Sequence, residues 1–113
     1  MLGYGFCDCY KLTNGNQTAY VRYSQNAVRG GGSFSVTRLA EGKWKITFPS
    51  EWSALGITAT NITAKVTPKS AGDDVRMASI AEITGSSMTV HTGDDASPND
   101  EISFWFQIEY MLP

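Results

Sequence analysis

Residues 43–48 read KWKITF, and their strict alternation decides the fold. Trp44, Ile46 and Phe48 leave an extended chain on one side, Lys43, Lys45 and Thr47 on the other, because successive side chains of a strand point to opposite faces. One face is apolar and one polar, the pattern of a half-buried antiparallel strand. Pro49, with no backbone N–H to give to a ladder, ends it.

The same period of two recurs on both sides. Upstream, Glu41-Gly42 makes a turn, and SFSVTR at 33–38 sends Phe34 and Val36 inward and Ser33, Ser35 and Thr37 outward. Further back, YGFCDCYKL (4–12) and TAYVRYS (18–24) flank Asn14-Gly15-Asn16. An Asn-Gly step is the strongest short-range hairpin signal. In the return strand Ala19, Val21 and Tyr23 share one face, Tyr20 and Arg22 the other. Gly30-Gly31-Gly32 is a flexible break before 33–38.

Downstream, SEWSALGI (50–57) tolerates a single helical turn, with Ser50 as its cap and Trp52 and Leu55 packing down. TATNITAKVT (58–67) aligns Ile62, Ala64 and Val66, and is closed by Pro68 and Gly72-Asp73-Asp74. VRMASIAEIT (75–84) and SMTVHT (87–92) form a second hairpin about Gly85-Ser86, and GDDASPND (93–100) is a polar turn. In the last strand, EISFWFQIEYM (101–111), Ile102, Phe104, Phe106, Ile108 and Tyr110 make an apolar face. Ser103, Trp105, Gln107, Glu109 and Met111 make the other.

Strands every 10–12 residues predict one all-β domain over 1–113, an antiparallel, jelly-roll-like sandwich of seven or eight strands. At 113 residues, 42% hydrophobic and 12% aromatic, the chain can bury a core. Only 18% of residues are charged, and runs of strong helix formers are missing. A net charge of −2 without a dense Lys/Arg run offers no footprint for nucleic acid. No run approaches 18 apolar residues, so membrane insertion is not expected. MLGYGFCDCY lacks the layout of a signal peptide. The chain then stays where it is made, leaves by lysis, or is a fragment.

Several pieces of the sequence resemble a known family. They are GYGFCDCYKLTNGNQTAY, GGSFSVTRLAEGKWKITFPSEW, TNITAKVTP, the pair MASIAEITG and SSMTVHTGDD, and SPNDEISFWFQIEY. Together they resemble the small β-sandwich domains near the distal ends of bacteriophage tail fibres and related virion appendages. The matching positions are Ser35-Val36-Thr37-Arg38, Gly42, Trp44 in a tyrosine place, Ile46-Thr47-Phe48, and Asp100, Phe104 and Phe106. The resemblance implies a virion location, a homotrimer, and contact with a host receptor, often a glycan, or with neighbouring virion proteins. Such fibres usually carry a shaft before this domain. A chain starting at the domain is either a fragment or a tip, collar or decoration protein. The competing expectation is a stand-alone carbohydrate-binding module of a bacterial extracellular protein.

Trp105 and Met111 on the second face of the last strand imply that something covers it. In a sandwich each strand has one inner face, which Phe104, Phe106 and Ile108 claim. Trp105, Gln107 and Met111, with Tyr20 and Arg22 from the early strand, are therefore the candidate oligomer interface. For sugar stacking, Trp52 and Tyr4 are the candidate aromatics, and each also suits a core.

Catalysis is not expected. His91 is the single histidine, out of phase with Met88 and Val90 and so facing solvent, and no Gly-x-Ser-x-Gly elbow is present. Cys7 and Cys9 lie on one strand face, poorly placed for a mutual disulfide and short of ligands for a metal, and read as reduced, partly buried thiols. Asp73-Asp74, Asp94-Asp95 and Asp100 read as solvated turn carboxylates without calcium-loop spacing. Paired carboxylates for glycoside hydrolysis would need a longer groove than 113 residues leave room for. Asn16-Gln17-Thr18 and Asn61-Ile62-Thr63 match a glycosylation sequon by chance. No cofactor is called for.

Overall fold

A computed structural model describes residues 2–13, 16–26, 33–69, 75–97 and 100–111, with residues 10–13 and 16–18 as backbone only. In chain order it contains β1 (Gly3–Thr13), β2 (Asn16–Asn26), β3 (Ser35–Ala40), β4 (Lys43–Thr47), α1 (Glu51–Ala54), β5 (Ile62–Pro68), β6 (Arg76–Ile83), β7 (Ser87–Asp94) and β8 (Phe104–Tyr110). Two four-stranded sheets result: sheet A in the order β2-β1-β8-β5 and sheet B in the order β3-β4-β7-β6. Every pairing is antiparallel. The eight strands and two sheets of the expected sandwich are present. The chain stays within one sheet at its three hairpins, β1-β2, β3-β4 and β6-β7. It changes sheet between β2 and β3, β4 and β5, β5 and β6, and β7 and β8. The turn at 14–15, the triple-glycine break and the Gly72-Asp73-Asp74 cluster lie outside the described residues.

KWKITF behaves as its alternation dictates. Trp44, Ile46 and Phe48 are buried between the sheets and Lys45 is exposed. Trp44 is fully enclosed, and its indole N–H donates to Thr92 Oγ1 at 3.0 Å, so no polar atom is stranded. The Thr92 hydroxyl donates in turn to the Asp100 carbonyl, at 2.6 Å. At the other end of the core, Phe34, Phe48, Trp52 and Phe106 pack edge to face or tilted, with ring centroids 5.1–6.3 Å apart.

Five local expectations are corrected. The last strand begins at Phe104, because residues 100–103 carry the chain from sheet B to sheet A. Within that crossover Ser103 is buried rather than exposed, and its Oγ accepts the Cys9 N–H at 3.0 Å. Glu101 is also buried, accepting from Gly42 N–H at 2.8 Å and from Arg38 Nε and Nη2 at 3.2 Å each. Tyr110, expected on the apolar face, is exposed at the sheet end. In α1, Trp52 packs inward, but Leu55 is exposed and the Ser50 side chain makes no cap bond.

Candidate functional site

The first strand inverts the usual arrangement. β1 opens Gly-Tyr-Gly-Phe, and it is the glycines that face the core. A Cβ on Gly3 would stand 2.6 Å from the Phe34 ring, and one on Gly5 2.6 Å from the Phe106 ring. Phe34 and Phe106 occupy the space that inward side chains of β1 would take. Parity then forces Tyr4 and Phe6 outward.

Register fixes what they meet. Phe6 pairs with Tyr23 on β2 and with Trp105 on β8, and Trp105 pairs with Thr67 on β5. Tyr23, Phe6, Trp105 and Thr67 thus form one row across the outer face of sheet A. The neighbouring row is Gln25, Tyr4, Gln107 and Lys65. In the first row Phe6 is 4% exposed although it lies on an outer face. Tyr23 stacks on it at 5.9 Å, Trp105 tilts over it at 4.7 Å, and Lys69 Nζ stands 5.9 Å from its centroid. The Trp105 indole N–H donates to the Tyr23 hydroxyl at 3.1 Å. The row is therefore held by contacts within sheet A itself.

Beside it lies a depression of about 320 Å³, lined by Tyr4, Lys65, Thr67, Trp105, Gln107 and Phe106. Tyr4 and Trp105 are 42% and 41% exposed. Gln107 Nε2 donates weakly to Glu109 Oε1 at 3.4 Å. A second depression, about 290 Å³ at the α1 end, carries hydroxyls from Thr47, Ser50, Ser53 and Ser86 but no charged side chain.

Of the five residues expected at an interface, Trp105, Gln107, Tyr20 and Arg22 belong to sheet A and Met111 follows β8, and the five do not form one patch. Trp105 and Gln107 are adjacent in the depression. Tyr20 pairs with Asp8, and Arg22 reaches Asp8 Oδ2 at 3.9 Å from the bulge in β2. Met111, just past β8, lies at the opposite end of the sheet, its N–H donating to the Asn61 carbonyl at 2.9 Å. Some eight residues of strand, roughly 27 Å, separate the Tyr20 row from the Met111 row. Of the two candidate sugar-stacking aromatics, Tyr4 lies at the depression. Trp52 is corrected: it is fully buried, its indole N–H donating to Asn26 Oδ1 at 3.1 Å. Phe6, Tyr23, Lys65 and Thr67 were not singled out from sequence. The signal that could have found them is the placement of glycines and aromatics on opposite parities of 3–6.

The remaining chemistry-bearing groups lie elsewhere. His91 pairs with Lys43 and Ser79 in sheet B and is half-buried. Cys7 and Cys9 form no disulfide and are fully rather than partly buried, with sulfurs 3.8 Å apart. The hydrogen bond with Cys7, with burial added, pushes the Cys9 thiol far above its ordinary pKa. Asp94 accepts the Ser97 and Ala96 N–H groups at 2.7 and 2.9 Å, which hold its carboxyl below the usual aspartate value. Among the described residues no cluster of three or more His, Cys, Asp or Glu stands ready for a metal ion. No protein-family model, curated protein or solved structure matches the chain.

Proposed function

We propose that the chain is a non-catalytic recognition module of a phage virion appendage, a tail fibre, tip or head decoration, that contacts a host-surface glycan through the outer face of sheet A. The observation that carries this is the outward aromatic row. Phe6 is sacrificed as a buried base so that Trp105 is held rigid and half-exposed beside Tyr4. Rigid aromatics bordered by amide, hydroxyl and ammonium groups suit a ligand with both apolar and polar faces. The virion setting rests on the resemblance of the strand pattern. A bacterial extracellular carbohydrate-binding module would use the same surface, and neighbouring genes for virion proteins separate the two settings.

An array of bacterial and plant polysaccharides tests the reading. Binding to at least one glycan class, abolished by Tyr4→Ala with the fold intact, supports it. No binding to any glycan refutes it.

A second reading, a homotrimer that buries the same face, is favoured by the exposed apolar side chains Tyr20, Trp105 and Met111. Lys65 and Lys69 on that face weigh against it, since lysine is depleted at interfaces. Sedimentation velocity at micromolar concentration distinguishes them. A trimer dispersed by Trp105→Ala supports the second reading, and a monomer supports the first.

A further inference from the structure

We propose that the depression between Tyr4 and Trp105 takes an acidic saccharide, its ring stacked on the aromatics and its carboxylate on the Lys65 ammonium. The inference rests on the recognition reading above and names the ligand class.

The aromatic part comes first. A pyranose presents apolar C–H groups on its faces and hydroxyls around its rim. Trp105 is fixed from below by Phe6 and from the side by Tyr23, so stacking on it orders little that is not already ordered. The volume of about 320 Å³ suits one ring with part of the next. Around the rim, the Gln107 amide offers donors and an acceptor and the Thr67 hydroxyl offers both, as a polyol requires.

Charge selects within that class. Among the described residues, no carboxylate lies within 4.0 Å of Lys65. Asp8 is engaged by Arg22 at the far side of Phe6, and Glu109 accepts from Gln107. Lys69 lies over Phe6. The described side chains of this face thus carry Lys65, Lys69 and Arg22 against Asp8 and Glu109, an excess of positive charge on a chain whose net charge is −2. One unpaired ammonium at the depression matches one carboxylate. A polyphosphate strand would require a series of cations along its path.

Calorimetric titration tests this with trigalacturonate against its methyl ester, sialyllactose against lactose, and uridine monophosphate as the nucleotide probe. At least one acid is expected to bind roughly tenfold more tightly than its neutral counterpart. Lys65→Gln brings the affinities for acid and neutral counterpart together, while Tyr4→Ala abolishes both. Raising salt from about 0.01 M to about 1 M erodes only the preference. Both substitutions fall on exposed side chains, and unchanged thermal unfolding confirms the fold. Equal affinity for acid and ester, lost on Tyr4→Ala, overturns the charge inference and leaves glycan recognition standing. Binding of the nucleotide alone, or of none of these saccharides, overturns the acidic-saccharide inference, while glycan recognition itself falls only with an empty polysaccharide array.

Discussion

The indole N–H of Trp105 reaches the hydroxyl of Tyr23 at 3.1 Å, bridging the outermost residues of a three-ring row whose middle member, Phe6, is buried. Phe6 therefore behaves energetically as core while lying on the face turned away from the core. Phe6→Ala is expected to cost about 3 kcal/mol in urea unfolding, as for an enclosed phenylalanine. Tyr23→Phe removes one hydrogen bond at an accessible site and is expected to cost about 1 kcal/mol or less. A Phe6→Ala cost as small as that of Tyr23→Phe would show that the row is not packed.

The inward glycines make an opposite pair of expectations on adjacent residues. Gly5→Ala drives a methyl toward the Phe106 ring and the Tyr23 carbonyl, 2.6 and 2.8 Å away. It is expected to destabilise by about 1–3 kcal/mol through overpacking. Tyr4→Ser, one residue earlier on the outer face, is expected to stay within about 0.5 kcal/mol. Chemical denaturation of the two variants checks the pair, and equal effects would contradict the assignment of faces.

Acid should loosen the turn after β7. The Ser97 N–H first, then the Ala96 N–H, favours the charged form of Asp94 and lowers its pKa below the ordinary value of 3.8. A lowered folded-state pKa adds stability that is fully present above the unfolded value and is lost as pH falls through the folded one. Melting temperatures of the native chain and Asp94→Ala should thus differ near neutral pH and converge below the ordinary aspartate range. A difference that persists unchanged at the lowest pH would refute the linkage.

The two thiols should be silent in the folded chain. Cys7 and Cys9 are fully buried, and the Cys9 thiolate is disfavoured by its bond to Cys7 and by burial. A thiol reagent at mildly alkaline pH should label neither until urea unfolds the protein, and both thereafter. Because the folded pKa is raised, the contribution of Cys9 to stability is present below the ordinary thiol value and fades above it. Rapid labelling in the native state would contradict this burial.

KWKITF and the inner face of β8 were legible because one parity is plainly apolar and the other plainly polar. Residues 3–6 were not, since both parities are uncharged and alternation alone does not say which one faces in. The answer lies in Phe34 and Phe106, distant in sequence, which already fill the core beneath β1. The burial of Phe6 likewise comes from β2 and β8 rather than from its own strand. Trp52 was ambiguous until Asn26 supplied an acceptor inside the sandwich. Glu101 and Ser103 fit the alternation of the last strand, yet they serve a crossover whose backbone bonds and buried partners no local pattern reveals.

The two rows on sheet A divide the labour of change. Phe6, Tyr23 and Trp105 in the first row are tied to stability and so are constrained by the fold. The row of Gln25, Tyr4, Gln107 and Lys65 rests on that base without supporting it. Under the proposed recognition function, replacements there would alter what the face reads while the fold stays the same, a route to new specificities through surface substitutions alone.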